Sequence, residues 1–349
     1  MEPETEQNDE MTHHGKPRGV ARADGNPSKL TIFVSNDFMA EPDFALPPLR
    51  LTERRNPRSV DIDIADPLTL VDIINAEDAT VPALVAGCRH EIAAAVSLIE
   101  ASFRRGGRLL YVGAGTSGRL GVLDASECPP TFGTDRAMVV GIIAGGYPAL
   151  VNPAEGAEDD VNDGIAVLET HGVSNLDTVV GIAASGGTPY VRAALGRART
   201  AGASTVLVAC AEPPAVLRSA CDVCIVIPTG PEVVTGSTRM KAGTATKLVL
   251  NTLTTAAMIR LGKTYGNLMV DLQAWSQKLV DRGDRIVMEV TGVDRPAARR
   301  AIDAAAGSVR AAIVMVKTGS GLEQAKALLE ANDNRVRAVL GDPPPVRNS

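Results

Sequence analysis

Five short runs of apolar residues, rich in β-branched side chains, recur along the middle of the chain and constrain its fold more than any other feature. Segments with helical periodicity separate them, and several of the runs end in Gly or Ser. Uninterrupted apolar strands that alternate with helices are typical of a parallel sheet covered by helices on both faces. We therefore predict an α/β fold with a five-stranded parallel sheet. The strands are predicted at residues 108–112, 138–143, 178–183, 205–209 and 223–227.

Three helices follow from the spacing of their residues. Apolar side chains recur every three or four positions over 81–105, which predicts one amphipathic helix. Residues 241–261 are apolar on several sides, so this segment is predicted to be a buried or interface helix. A helix that begins at Ser117 is predicted to end at Pro129 and Pro130, because proline lacks the N–H group that a further helical turn requires.

The chain is predicted to divide into three parts. Residues 1–50 have no regular pattern, which predicts a disordered leader. Residues 51–280 contain all five predicted strands and form the main domain. Residues 281–345 consist of Ala-rich helical pieces cut by glycines, which predicts a small helical domain.

Composition excludes several kinds of partner. The formal net charge is −6 and aromatic residues make up 3%, so the chain has neither a basic field nor a stacking surface for nucleic acid. The longest uncharged stretch is broken by glycine and proline, so no membrane span is predicted. The chain has five cysteines, an odd number, and its acidic start contains no apolar signal segment. Both features favour the cytoplasm.

No metal centre is predicted, although Cys221 and Cys224 have the spacing of half a zinc site. No second pair and no nearby histidine completes four ligands, so we interpret these cysteines as the start of a buried strand. The four histidines support no Ser-His-Asp arrangement. Proton transfer would therefore fall to carboxylates.

Three loops rich in glycine and hydroxyl groups lie at 113–119, 184–188 and 235–238. Glycine lets the backbone approach a ligand closely, and the free N–H groups at a helix N-terminus can bind a phosphate. The first loop has dinucleotide-binding spacing, but no acidic residue closes the second strand, so no nucleotide cofactor is predicted. Three such loops together predict one phosphorylated small ligand.

Glu127 is the most informative carboxylate, because an acid near a helix C-terminus opposes the helix dipole. Glu155 and Asp159 instead fit a solvated helix start. Ten helical residues separate Ser117 from Glu127, which places them roughly 15 Å apart. Either the helix bends at Gly121, or Glu127 serves the site of a partner chain. We favour the second alternative, which predicts a homodimer with shared sites.

The motifs at residues 52–57, 113–130, 155–159, 181–191 and 232–251 resemble the N-acetylmuramic acid 6-phosphate etherases, which have a sugar isomerase (SIS) fold. The resemblance covers roughly residues 48 to 340 and leaves the leader out. Two positions depart from the family pattern. Gly187 stands where the family usually has Arg, and Thr238 where it usually has Ser. The first departure puts one cationic contact with the substrate in doubt.

The resemblance implies a lyase that removes D-lactate from the 3-position of the sugar and gives N-acetylglucosamine 6-phosphate, in amino-sugar catabolism and peptidoglycan recycling. Glu158 then matches a base and Glu127 an acid that later activates water, with the assignment between the two left open. Residues 51–280 would be the catalytic SIS domain, and 281–345 a three-helix domain similar to ubiquitin-associated domains. The residues implied to hold phosphate and sugar hydroxyls are Thr116, Ser117, Ser185, Gly186, Thr188 and Ser237.

Two other functions remain open from the residues. A phosphosugar aldose–ketose isomerase would use the same loops and a base at C2 without releasing lactate. A sugar-phosphate sensor, similar to the glucokinase regulatory protein with its paired copies of the fold, would bind without turnover. Only one copy is visible here, and both glutamates are present.

Overall fold

The computed structural model describes residues 49–272 and 276–346. The predicted leader at 1–50 lies outside the described residues except for its last two. Within the described ranges no single helix is long and apolar enough to cross a membrane. One bent pair, Pro67–Gly87 with Arg89–Arg104, reaches that length and composition together across an angle of 63°.

The predicted five-stranded parallel sheet is confirmed, with strand order β2-β1-β3-β4-β5. In β1, which lies between β2 and β3, Gly113 pairs with Ile143 on one side and Ile182 on the other, so these three strands end level with one another. The loops that follow the strands therefore leave from one edge of the sheet. The strands are β1 Leu109–Gly113, β2 Val139–Ile143, β3 Thr178–Ile182, β4 Ser204–Ala209 and β5 Val223–Val226.

Helices cover both faces of this sheet. On one face, side chains of three long helices, and of the shorter helix that precedes them, form a core with strand residues such as Leu109 and Tyr111. On the other face, three more helices pack against Leu110 and Val112. The alternation arises because successive side chains of a strand point to opposite faces. The first set is α3 Arg89–Arg104, α4 Gly115–Phe132 and α8 Lys241–Arg260, and the second is α5 Val161–Thr170, α6 Pro189–Thr200 and α7 Ala215–Ala220.

Two helix predictions were wrong in their bounds. The segment 81–105 is not one helix, because it breaks at Cys88 into α2 Val81–Gly87 and α3. At the break the Cys88 thiol donates a hydrogen bond to the carbonyl of Val226 at 3.1 Å, which ties the turn to the edge strand β5. Helix α1 Pro67–Asp78 precedes this pair.

The second error concerns the end of α4, which continues through Pro129 and Pro130 to Phe132. Each proline removes one backbone hydrogen bond to the preceding turn, and burial of Phe132 in the core offsets that loss. The helix ends at Gly133, which adopts a left-handed conformation with φ of 60° and donates its N–H to the Pro129 carbonyl.

The C-terminal helices are present as predicted, and they enclose a second core. That core also contains Tyr265, Val270 and Leu272, which precede residue 280. The domain boundary at 280 therefore stays a prediction. The elements of this region are the hairpin β6 Thr264–Tyr265 and β7 Leu268–Met269, with α9 Gln277–Thr291, α10 Arg295–Ala304, α11 Val309–Thr318, α12 Leu322–Ala331 and α13 Val336–Leu340.

Candidate active site

The loop after β1 requires glycine because strand and helix approach one another closely. A Cβ atom at Gly113 would lie 2.7 Å from the backbone N of Gly118, and one at Gly118 would lie 2.6 Å from Cγ1 of Ile143. This close approach starts α4 directly beyond the strand. Thr116 and Ser117 occupy the first turn of the helix and are half-buried. Their backbone N–H groups are among those that a helix leaves without internal partners.

The second predicted loop follows β3 at the same edge of the sheet. Gly186 has a φ of 74°, and a Cβ atom there would meet the carbonyl oxygen of Ala211 at 2.9 Å. Ser185 accepts a weak hydrogen bond from the N–H of Gly187 at 3.4 Å, while Thr188 is the N-cap residue of α6. Gly186 and Gly187 are buried, whereas Ser185 and Thr188 are half-exposed.

The third loop approaches the first one at the start of α8. A Cβ atom at Gly243 would lie 3.7 Å from Cγ2 of Thr116 and 3.6 Å from the carbonyl oxygen of Thr238. Ser237 is half-buried in this loop, and its carbonyl accepts a hydrogen bond from the N–H of Met240 at 3.2 Å. The structure therefore brings the first and third loops together.

An N-terminal segment reaches the second and third loops, and the spacing of the residues did not predict this. The Arg50 guanidinium lies against Gly187, and Oε2 of Glu53 lies 3.3 Å from the place of a Cβ atom at Gly236. Asn56 fastens the segment by donating a hydrogen bond to the Pro231 carbonyl at 3.3 Å. Sequence reasoning missed Arg50 and Glu53, although the motif at 52–57 pointed to this segment.

A buried charge cluster supports the start of α8. Lys241 Nζ lies 2.6 Å from Oε2 of Glu77, and Arg58 pairs with the other oxygen of Glu77 at 2.5 Å. Burial alone would raise the pKa of Glu77, but the hydrogen bond and charge of Lys241 hold it below its ordinary value. Glu232 accepts hydrogen bonds from the N–H groups of Lys241 and Ala242, and burial raises its pKa.

Each of the two predicted catalytic carboxylates is exposed, and they lie on different elements. Glu127 is in the last turns of α4, whose core contacts belong to one face of the sheet. Glu158 is in a 3₁₀ turn at Ala157–Asp159 that packs against α6 on the opposite face. The described residues show no contact between the two carboxylates, and α4 runs unbroken through Gly121.

A buried hydrogen-bond network holds α4 one turn before Glu127. The Asp124 carboxylate accepts hydrogen bonds from Oη of Tyr111 at 2.9 Å, Nδ2 of Asn251 at 2.6 Å and Oγ1 of Thr254 at 3.3 Å. Burial, and then the charge of Asp124, raise the pKa of Tyr111 far above its ordinary value, so Tyr111 remains a proton donor. The network therefore joins α4 to β1 and α8.

Among the described residues, no group of three or more His, Cys, Asp or Glu side chains is placed to hold a metal ion. Cys221 and Cys224 are only half-buried, because β5 is an edge strand rather than the buried strand predicted there. A cavity of about 470 Å³ beside the C-terminal core is lined by Lys263, Asp271 and Arg310, and none of its lining residues belongs to the three loops.

The sheet and its loops define the class of protein. The family model for the glucokinase regulatory protein N-terminal SIS domain matches residues 91–199, so the chain carries an SIS domain. A solved phosphoheptose isomerase from Francisella tularensis matches at 17% identity with a TM-score of 0.37. The match covers 54% of this chain and 98% of the isomerase chain.

Curated relatives identify the family within this class. An N-acetylmuramic acid 6-phosphate etherase from Actinobacillus pleuropneumoniae is 50% identical over 290 residues, which cover 83% of this chain and 95% of the relative. One from Mycolicibacterium smegmatis is 52% identical over 290 residues, covering 83% and 97%. The chain belongs to the N-acetylmuramic acid 6-phosphate etherase family.

Proposed function

We propose that this chain is a cytoplasmic carbon–oxygen lyase that cleaves the D-lactyl ether of N-acetylmuramic acid 6-phosphate and releases N-acetylglucosamine 6-phosphate and D-lactate. The observation that carries the proposal is the identity of about 50% to etherases over nearly their whole length. The convergence of the first and third loops and the presence of both glutamates support it.

The three loops would hold the substrate through its phosphate and hydroxyl groups. Their hydroxyl side chains are partly exposed, and two of the loops lead directly into α4 and α6. N–H groups at a helix start stabilise an anion without a cationic side chain. The residues proposed to contact phosphate and sugar are Thr116, Ser117, Ser185, Gly186, Thr188 and Ser237.

The reaction needs one base and one acid. In the open-chain sugar, the C1 aldehyde acidifies the C2 proton, so a carboxylate such as Glu158 suffices to remove it. The C3–O bond then breaks, and Glu127 gives a proton to the departing lactyl oxygen. A double bond forms between C2 and C3. Water adds its oxygen to C3, Glu127 accepts a proton from this water, and C2 regains a proton.

We further propose that Glu127 acts in the site of a second copy of the chain. Ser117 and Glu127 lie at opposite ends of the unbroken helix α4, roughly 15 Å apart along its axis. The Glu127 side chain makes no hydrogen bond or ion pair with another residue in the described part of the chain and is exposed, so a partner molecule has access to it.

Incubation with N-acetylmuramic acid 6-phosphate in deuterated water tests the reaction. We expect free lactate together with deuterium at C2 of the product. Deuterium without lactate would instead indicate an aldose–ketose isomerase. If neither lactate nor deuterium at C2 appears, the result would indicate a sugar-phosphate sensor that binds without turnover.

Replacement of each glutamate tests the assigned chemistry. Glu127→Gln and Glu158→Gln should each lower kcat on the order of 10²-fold or more. Glu155→Gln removes an equally exposed acid nearby and is the matched control, with activity close to the unmodified chain. A variant of Glu127 or Glu158 with normal turnover would remove that residue from the mechanism.

A further inference from the structure

We propose that Arg50 is a substrate-binding residue whose guanidinium contacts an anionic group of the substrate above Gly187. The inference rests on the proposed function for the identity of the anion, which is either the 6-phosphate or the lactyl carboxylate. It names a residue that lies outside all three glycine loops. Arg50 also lies before the motif at 52–57.

The guanidinium lies directly on the backbone of the second loop. A Cβ atom at Gly187 would stand 3.1 Å from Nη2, 3.2 Å from Nη1 and 3.3 Å from Cζ of Arg50. Because three atoms of the group are nearly equidistant from that point, the guanidinium covers the glycine with its face. A side chain at position 187 would have to displace it.

The neighbours of Gly187 are the groups already proposed to hold the substrate. Ser185 and Gly186 precede it and Thr188 follows it, and none of these residues carries a positive charge. Arg50 therefore supplies a cation to a loop that otherwise offers only hydroxyls and backbone N–H groups. A guanidinium binds carboxylate and phosphate through paired hydrogen bonds, which makes either anion a suitable ligand.

Among the described residues, the lack of a carboxylate partner distinguishes Arg50 from Arg58, which is a structural cation. Arg58 in the same segment pairs with the buried Glu77. The structure pairs Arg50 with no carboxylate among the described residues, and its side chain is exposed at the loop edge. Its guanidinium can therefore bind an incoming anion without breaking an ion pair in this part of the protein.

The position of Arg50 also accounts for the unusual residue at 187. The family resemblance places an arginine there, whereas this chain has glycine. In the structure, an arginine from a different segment brings its guanidinium to the space beside the same backbone position. Gly187 therefore leaves room for the guanidinium, and Arg50 supplies the positive charge that position 187 lacks.

The first experiment measures binding of two ligands to Arg50→Ala by calorimetry. N-acetylglucosamine 6-phosphate carries only the phosphate, whereas N-acetylmuramic acid 6-phosphate also carries the carboxylate and is bound to an inactive Glu158→Gln background. A loss of about 10- to 100-fold in affinity is expected, as for a charged hydrogen-bonded contact. Loss for both ligands would assign Arg50 to the phosphate, and loss for the second alone would assign it to the carboxylate.

Arg105→Ala is the control, because Arg105 is exposed at the end of α3 and lies at the opposite edge of the sheet. It should leave both affinities and the melting temperature unchanged. Equal affinities for Arg50→Ala and Arg105→Ala would overturn the proposal. Failure of the proposed function would look different, because the unmodified chain would then release no lactate.

A second experiment places the positive charge at position 187 instead of position 50. Gly187→Arg in the Arg50→Ala background should recover at least part of the lost affinity, because its guanidinium enters the space that Arg50 leaves. In kinetics, Arg50→Ala should raise KM more than it lowers kcat, since the contact exists before the transition state. A fall in kcat with unchanged KM, or no recovery by Gly187→Arg, would contradict substrate binding by Arg50.

Discussion

Nζ of Lys241 lies 2.6 Å from Oε2 of Glu77, and each of these side chains is only 2% exposed. Lys241 is the first residue of α8, where a positive charge opposes the helix dipole. The Glu77 carboxylate from α1 compensates that charge, while Glu232 accepts the first N–H groups of the helix. The pair therefore fastens α1 to the helix that follows the third loop.

Removal of one partner of this pair should be costly. Glu77→Gln removes the carboxylate in contact with the buried Lys241 ammonium, which should lower the free energy of unfolding by about 3–5 kcal/mol. Urea unfolding at pH 7 measures the loss. Glu323→Gln, which breaks the exposed pair with Lys326, is the control and should cost less than about 1 kcal/mol. Similar losses in both variants would contradict the prediction.

The pair of Glu77 and Lys241 should make the free energy of unfolding depend on pH in the acidic range. Because the pKa of Glu77 is lower in the folded protein than its ordinary value of 4.5, its ionised form stabilises the fold fully above that value. This contribution is lost as the pH falls through the lowered pKa. Between pH 5 and pH 3, the unmodified chain should therefore lose more unfolding free energy than Glu77→Gln. Parallel curves of unfolding free energy against pH would refute this dependence.

Asp124 should control the position of α4. Asp124→Ala leaves the buried Tyr111 hydroxyl and two further donors without their acceptor, which should cost about 2–5 kcal/mol in unfolding free energy. Tyr111→Phe removes only one of the three bonds and should cost about 1–2 kcal/mol. Denaturant titrations of both variants check the order, and a Tyr111→Phe loss as large as that of Asp124→Ala would contradict it.

Two glycines should respond to alanine in opposite directions. Gly118→Ala places a methyl group 2.6 Å from Ile143 and 2.7 Å from the Gly113 carbonyl oxygen, which should destabilise the chain by about 1–3 kcal/mol. Gly196 lies inside α6 with no other atom within 4 Å of its Cβ position. Gly196→Ala should stabilise by about 0.5–1 kcal/mol, and thermal melting of both variants gives the signs.

Shared sites predict complementation between inactive chains. When Glu127→Ala and a Ser117→Ala chain are unfolded together and refolded, half of the dimers are mixed and each mixed dimer holds one intact site. Lactate release should recover to about a quarter of the unmodified level. Glu127→Ala mixed with Glu127→Gln is the control and should stay inactive. If the first mixture also stays inactive, Glu127 does not serve a partner's site.

The strands were accurately predictable because each depends on local pattern. Short apolar runs bury both faces of a strand, and they agree with the observed bounds to within one residue. The end of α4 was not predictable in this way. Pro129 is unfavourable locally, but burial of Phe132 and the left-handed Gly133 carry the helix through it. The break at Cys88 likewise depends on a contact with β5.

The candidate site likewise combines features that local sequence predicts with contacts that only tertiary packing decides. The sequence alone predicted the sheet and the three glycine loops, because strand pattern and loop chemistry depend on consecutive residues, and the family resemblance added the two candidate glutamates. Tertiary packing decided that Thr116 lies beside Gly243 of α8, that Glu77 neutralises Lys241, and that Arg50 lies on Gly187. These contacts join residues far apart along the chain, and their distances are determined by how helices and loops pack on the sheet rather than by any local preference.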